Sequence, residues 1–71
     1  MIKESTLRNR LRRRGHHLVS KRDGYGVKNY AISNENRFIV DGYEYASGEF
    51  YMDLADVEQW IKDYDAERHV S

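Results

Sequence analysis

The residues best suited to chemistry in this chain are arginines, and they are concentrated near its start. Five arginines occupy the seven positions from 8 to 14. Guanidinium groups bind phosphate through paired hydrogen bonds, and an affinity built on phosphate contacts falls steeply with salt. The pattern predicts a basic binding face made of Arg8, Arg12, Arg13, Lys21, Arg22 and Lys28. The alternative is that Arg10 and Arg14 lie over the core and pair with acids of a second helix.

A second candidate face combines carboxylates with tyrosines in the later part of the chain. Tyrosine rings stack on bases and anchor protein interfaces. A row of carboxylates can compete for a cationic groove that normally holds nucleic acid. These properties predict an acidic and aromatic binding face made of Tyr43, Tyr45, Glu49, Tyr51, Asp56 and Asp63. The alternative is a solvated helix surface with acids favoured near the helix N-terminus, beside tyrosines that cover the edges of the core.

The net charge of zero conceals a division between two parts of the chain. Residues 1–40 contain ten Lys or Arg and three Asp or Glu, a charge of +7, whereas residues 41–71 contain two and nine, a charge of −7. Such a division indicates a charged partner. It is equally compatible with halves that neutralise each other on folding, and with head-to-tail self-association of two chains.

Several classes of function are not indicated by the sequence. The chain has no cysteine, and the neighbouring His16 and His17 point to opposite faces of a strand, so no metal site and no other cofactor are expected. No nucleophile elbow, triad spacing or phosphate loop is present, so we expect no enzymatic activity. Residues 1–5 contain no apolar run, which predicts a cytoplasmic protein without a membrane span.

The clearest structural signal is a helix predicted at residues 54–67. At about 100° per residue, its apolar side chains fall on one stripe around Val57. Asp53 provides an N-cap, and Asp56 places a second negative charge near the positive end of the helix dipole. Trp60, the largest apolar side chain of this helix, is expected at the centre of the core.

The preceding residues predict a first helix and three strands. Residues 7–14 form the helix, capped by Ser5 or Thr6 and ended by a left-handed Gly15. Residues 43–50 are expected to be a loop or an irregular extended segment. Alternation and turn residues predict three strands, with the last of them the most buried, at residues 16–21, 27–33 and 38–40.

The predicted fold is α+β, a single domain over residues 1–71 in the order α-β-β-β-α. A three-stranded antiparallel sheet carries both helices on one face and leaves the other face open to water. The predicted core consists of Leu7, Leu11, Leu18, Val27, Tyr30, Ile32, Phe38, Val40, Leu54, Val57, Trp60, Ile61 and Tyr64.

The chain resembles a group of small proteins from Firmicutes and their prophages. The similarity lies in Leu7-Arg8 with Leu11, Gly15 and Leu18, in Tyr30-Ala31-Ile32, in Val40-Asp41-Gly42, and in residues 52–61. The resemblance brings no catalytic residues with it. It implies an accessory protein of a mobile element or its host, with no assigned activity. Small phage proteins of this size often act by binding, including as anti-CRISPR inhibitors of Cas nucleases.

The element order also resembles that of double-stranded-RNA-binding domains. In that family the second helix begins with lysines that grip phosphate groups. Here the helix begins with the acidic segment Asp53-Leu54-Ala55-Asp56, which repels a nucleic-acid groove. The resemblance is therefore one of topology.

Together these features predict a small, non-enzymatic intracellular interaction protein of a phage or another mobile element. It is expected to bind a protein or nucleoprotein that handles nucleic acid, with inhibition as one outcome. The alternative is a protein that binds DNA or RNA directly through its arginine-rich first helix.

Overall fold

Two helices flank five strands in residues 3–69, the part of the chain that this computed structural model describes. The helices are α1 (Glu4–Arg12) and α2 (Leu54–His69). The strands are β1 (His16–Arg22), β2 (Lys28–Asn34), β3 (Ile39–Asp41), β4 (Tyr43–Glu44) and β5 (Glu49–Phe50). β1, β2 and β3 form an antiparallel sheet in that order, and β4 pairs with β5 in a separate hairpin. The predicted α+β class and its three-stranded antiparallel sheet are confirmed.

The start of α2 is fixed by the acidic residues expected there. A carboxylate oxygen of Asp53 accepts a hydrogen bond of 2.8 Å from the backbone N–H of Asp56. The Asp56 carboxylate in turn accepts one of 3.1 Å from the backbone N–H of Asp53. This reciprocal pair satisfies two donors that a helix start leaves unpaired. The helix extends to His69, two residues beyond the predicted end.

α1 begins at Glu4, three residues earlier than predicted. Its N-cap is Lys3, whose carbonyl accepts from Thr6 and Leu7, and no side chain caps the helix, so the predicted cap by Ser5 or Thr6 is wrong. The early start has a tertiary cause, because the Glu4 carboxylate bonds to β2 and fixes the first turn there. Gly15 adopts the left-handed conformation expected of a residue that ends this segment, with a φ of 74°.

The core lies between the two helices and one face of the sheet. Leu7 and Leu11 of α1, Ile32 of β2 and Val57 of α2 are completely buried. Each such side chain stabilises the fold by about 1.5–3 kcal/mol relative to an exposed one. Met52, which the sequence pattern did not place in the core, is buried with them.

The third strand is not the most buried one, and β2 takes that position. Its residues 30–33 are all buried, whereas Phe38 and Val40 are 70% and 48% exposed. The cause is a bulge in β3, since Asp41 pairs with Ile32 but Ile39 pairs with Ser33 and leaves Val40 as an extra residue. Val27, also predicted in the core, lies before β2 and is exposed.

Trp60 lies at the edge of the core and is only partly buried. Its ring stacks on Tyr64 at 5.3 Å between centroids, and the His16 ring meets both of them edge-on. Next to this trio, the Arg14 guanidinium donates two hydrogen bonds of 2.8 and 2.7 Å to the Asp65 carboxylate. These contacts tie the start of β1 to the middle of α2.

The segment from Tyr43 to Phe50 folds back on the sheet as the β4–β5 hairpin, which the sequence pattern did not predict. The Lys21 ammonium of β1 donates to the carbonyl of Gly48 in this hairpin. Ala31 and Ser33, which point away from the helices, are 0% and 2% exposed. The second face of the sheet is therefore partly covered, and the expectation that it is open to water is wrong.

The hairpin reaches this position through Gly42, which has a φ of 90°. A Cβ atom at this residue would lie 2.7 Å from the Met52 sulfur and 2.8 Å from the Ala31 Cα atom. After this close approach, Met52 pairs with Tyr30 through backbone hydrogen bonds of 2.8 and 3.2 Å.

Within residues 3–69, neither helix combines the length and the apolar composition that crossing a membrane requires.

Replacing Gly42 with alanine should lower the free energy of unfolding by about 2–4 kcal/mol. A left-handed φ disfavours any residue with a Cβ by about 1–2 kcal/mol, and the contacts with Met52 and Ala31 add overpacking. Chemical denaturation of the purified variant measures the loss.

Two other glycines separate these contributions. Gly26 has a φ of 81° and open space around it, so Gly26→Ala should show the backbone term alone, about 1 kcal/mol. Gly24 has neither constraint, and Gly24→Ala should stay within about 0.5 kcal/mol of the parent. Equal stabilities of the Gly42 and Gly26 variants would show that the close approach is unimportant.

Candidate binding surfaces

One surface of the protein combines carboxylates with aromatic rings, and we call it the acidic-aromatic face. It consists of three hollows that share Asp41, the widest with a volume of about 460 Å3. Its carboxylates are Asp41, Asp56, Asp63 and Glu67, and its aromatic rings are Tyr43, Tyr45, Tyr51, Trp60 and Tyr64. No lysine or arginine of residues 3–69 lines these hollows, so their lining carries net negative charge, although the Arg68 guanidinium lies 5.5 Å from the centre of the Tyr64 ring.

The aromatic rings of this face are held in place by their neighbours. The Tyr51 hydroxyl donates to the Asp41 carboxylate at 3.2 Å, and this hydrogen bond raises the pKa of the tyrosine. Tyr43 packs edge-on against Tyr45 with 4.8 Å between ring centroids. Tyr45 and Tyr51 remain 82% and 58% exposed. Large, ordered and accessible rings of this kind anchor protein interfaces.

Most of the acidic and aromatic residues predicted from the sequence come together here. Tyr51, Asp56 and Asp63 line the widest hollow, and Tyr43 and Tyr45 line the adjoining one with Tyr51. Glu49 lies instead on β5, opposite Glu44, and lines none of the three hollows.

The face predicted from the sequence lacks four of its members, Asp41, Trp60, Tyr64 and Glu67. Its size and apolar character predict Trp60 at the centre of the core instead. The spacing of residues 56, 60, 63 and 67 places them on one side of α2, and this helical period is the signal that could have found them. Asp41 had no such signal, because the bulge in β3 determines where it points.

A second surface, the basic cleft, lies between the end of α1 and the opposite side of α2. It has a volume of about 590 Å3. Its charged residues are Arg10, Arg13, Arg14, Lys62 and Arg68 together with Glu58 and Asp65. Glu58 and Asp65 lie roughly 140–180° around the helix axis from Asp56 and Asp63, and Lys62 lies about 100–120° from them. The basic cleft and the acidic-aromatic face therefore lie on different sides of α2 and meet at Tyr64, which lines both.

The arginines of the cleft differ in their partners. Arg14 is bound by Asp65, as one alternative for this residue predicted, and the bond to Asp65 raises the pKa of Arg14. Arg10, predicted in that alternative to pair in the same way, offers only its backbone carbonyl to Arg14. Within residues 3–69, no hydrogen bond or ion pair engages the guanidinium of Arg10 or Arg13.

The predicted basic face is divided over several parts of the surface. Arg13 lines the basic cleft, and Arg12 is exposed at the end of α1. Lys21 and Arg22 donate to the backbone carbonyls of Gly48 and Gly26. Two further cations, Arg8 and Lys28, bind the same carboxylate, that of Glu4.

Glu4 is the centre of a polar network that attaches α1 to β2. Its Oε1 atom accepts from the Lys28 ammonium and from the Tyr30 hydroxyl, each at 2.7 Å, and Arg8 lies 3.0 Å from its Oε2 atom. The hydrogen bond from Lys28, followed by the one from Tyr30, lowers the pKa of Glu4 from 4.5 to about 2. Burial, together with the bond to Glu4, raises the pKa of Tyr30.

The described residues offer no obvious metal centre. Residues 3–69 contain no cluster of three or more His, Cys, Asp or Glu side chains that could hold a metal ion.

Comparison with family models, with curated proteins and with solved structures finds no match to this chain. Its function is therefore inferred from its own surfaces.

Replacing Glu4 with glutamine should lower the free energy of unfolding at pH 7 by about 1–3 kcal/mol. The folded-state pKa of Glu4, about 2, lies below its ordinary value of 4.5. Its contribution is therefore complete above about pH 4.5 and is lost as the pH falls towards 2. Denaturation of both proteins between pH 7 and pH 2 measures the difference.

Glu35→Gln is the matched control, because Glu35 is exposed and makes no ion pair within residues 3–69. Its stability should follow that of the parent at every pH to within about 0.5 kcal/mol. A stability gap for Glu4→Gln that persists unchanged at pH 2 would rule out the ionised carboxylate as its source.

Proposed function

We propose that this protein is a non-enzymatic binding protein whose acidic-aromatic face docks on a cationic surface of a partner that handles nucleic acid. The observation that supports the proposal is the composition of that face. Four carboxylates and five aromatic rings line it without an accompanying lysine or arginine from residues 3–69. A surface of this kind has the charge of nucleic acid and the aromatic anchors of a protein interface.

The arrangement of the carboxylates also supports this role. Asp56, Asp63 and Glu67 are carried by one helix, so their spacing is fixed before binding, and less conformational entropy is lost on docking. The side chains are exposed or lie at hollows that are open to solvent, which leaves them available to arginine and lysine of a partner. Charge complementarity of this kind accelerates association and selects against acidic partners.

Competition with nucleic acid is the expected consequence of such docking. A partner groove that normally holds phosphate groups cannot hold them while carboxylates occupy it. The resemblance to small proteins of Firmicutes and their prophages supports a setting in which a mobile element inhibits a nucleic-acid-handling protein of its host, inside the cell. We therefore propose inhibition by occupation of the groove.

Replacing Asp63 with lysine should weaken partner binding about tenfold or more, because it places a cation against a cationic surface. The measurement is capture from a Firmicute lysate by the tagged protein, with and without nuclease treatment. Captured proteins should persist after nuclease treatment. The purified chain should then displace labelled nucleic acid from them.

Glu35→Lys is the matched control, because it makes the same change of charge on an exposed residue outside the face. It should retain capture, whereas Tyr51→Ala, which removes an aromatic ring from the face, should reduce it. The proposal is wrong if the captured proteins disappear with nuclease, or if both Asp63→Lys and Tyr51→Ala bind like the parent.

Direct binding of nucleic acid is a second candidate function, and the basic cleft favours it. Arg10 and Arg13 line this cleft beside Lys62, and within residues 3–69 neither guanidinium makes a hydrogen bond or ion pair, although the carboxylates of Glu58 and Asp65 line the same cleft. Guanidinium groups without an intramolecular partner are available to phosphate groups. In this case the phosphate backbone would lie along the cleft between α1 and α2.

Replacing Arg13 with glutamate should weaken such binding about tenfold and lower the slope of log affinity against log salt by about 1. Fluorescence anisotropy of labelled DNA and RNA, single- and double-stranded, between 50 and 200 mM salt measures both effects. Lys3→Glu makes the same change of charge outside the cleft and should bind within about twofold of the parent. Binding that is unaffected by Arg13→Glu would exclude the cleft.

A further inference from the structure

A third cavity lies on the second face of the sheet and meets the acidic-aromatic face only at Ile39. It has a volume of about 330 Å3, at the lower end of the range of small-molecule sites. Val19 of β1, Ile39 of β3 and Phe50 of β5 provide apolar walls. His17, Ser33 and Arg37 are its polar lining residues, so no carboxylate of residues 3–69 lines it.

Ser33 gives this cavity an unused hydrogen-bonding group. The side chain is 2% exposed, and its hydroxyl has no hydrogen-bond partner within the described residues. An unpaired buried hydroxyl is unfavourable by about 1–3 kcal/mol, so such groups are rare unless something else satisfies them. Ser33 lines the cavity, but its hydroxyl oxygen exposes less than 1 Å2, so a ligand atom reaches it only after a small displacement of the cavity wall.

Arg37 adds a positive charge to the cavity lining, and its backbone has a conformation that is unfavourable for arginine. Its φ is 67°, in the left-handed region that favours glycine or asparagine. The turn requires this conformation, because the Arg37 N–H donates to the Asn34 carbonyl and the chain then returns to pair Asn34 with Phe38. Within residues 3–69, no hydrogen bond or ion pair engages the Arg37 guanidinium. The cavity is therefore lined by the cationic side chain of Arg37 at a position whose left-handed φ angle favours glycine.

We propose that this cavity binds a small carboxylate with a compact apolar body. The apolar part would lie against Val19, Ile39 and Phe50, and the carboxylate would accept from the Arg37 guanidinium and the Ser33 hydroxyl. Guanidinium groups bind carboxylates through two parallel hydrogen bonds. The volume suits a molecule of about ten non-hydrogen atoms. This site is independent of the proposed function, since it shares no residue with the acidic-aromatic face or the basic cleft except Ile39 at the margin of the former.

The test uses phenylacetate as the probe and amide chemical shifts of the 15N-labelled protein as the readout. Saturable shifts around Ser33, Ile39 and Phe50 are expected, with a dissociation constant on the order of 1 mM. Phenylacetamide, which has the same shape without the charge, should bind about fivefold more weakly. Shifts that do not saturate, or equal affinities for the acid and the amide, would overturn the proposal.

Two variants separate binding from folding. Arg37→Gly suits the left-handed backbone, so it should keep or raise the melting temperature while weakening phenylacetate binding about fivefold or more. Ser33→Ala removes the unpaired hydroxyl, so it should also remain folded and should weaken binding about threefold. Lys3→Gln removes one positive charge elsewhere and should bind like the parent. Unchanged affinity in both Arg37→Gly and Ser33→Ala would overturn the assignment of these residues.

Discussion

The burial of β2 on both of its faces is the constraint on which the rest of the structure depends. One face receives Leu7, Leu11 and Val57 from the two helices, and these side chains are completely buried. The other face, with Ala31 and Ser33, is covered in part by the β4–β5 hairpin. Among the elements of residues 3–69, this hairpin is the one that lies against that face. The hairpin therefore has to approach so closely that Gly42 admits no side chain.

The division of charge along the chain becomes a division in space. Glu4 pairs with Arg8 and Lys28 inside the basic half, and Glu58 pairs with Lys62 inside the acidic half, whereas Arg14 and Asp65 join the two. Folding therefore neutralises part of each half and leaves distinct surfaces. The acidic residues meet aromatic rings on one side of α2, and the basic residues line a cleft on its other side.

The sequence predicts local features of this fold well and tertiary ones poorly. The period of α2 and the cap at Asp53 are local, and both were predicted. The early start of α1 depends on a bond between Glu4 and β2, and the exposure of Val40 depends on a bulge, so neither follows from alternation. Grouping by charge brought together most of the acidic and aromatic residues because they lie on one helix and the adjoining strands. It failed for the basic residues, since composition does not reveal which cations are already bound.

The position of α2 between surfaces of opposite sign gives the molecule an electric dipole despite its net charge of zero. The field of a dipole decays faster with distance than that of a net charge, and salt screens it further beyond about 8–10 Å. Such a molecule is not attracted from a distance to every polyanion or polycation. Close to a charged surface, it experiences a torque that turns one side of α2 towards that surface before contact. Electrostatics then contributes to the encounter with a partner mainly by orienting the protein, and less by attracting it over a long distance.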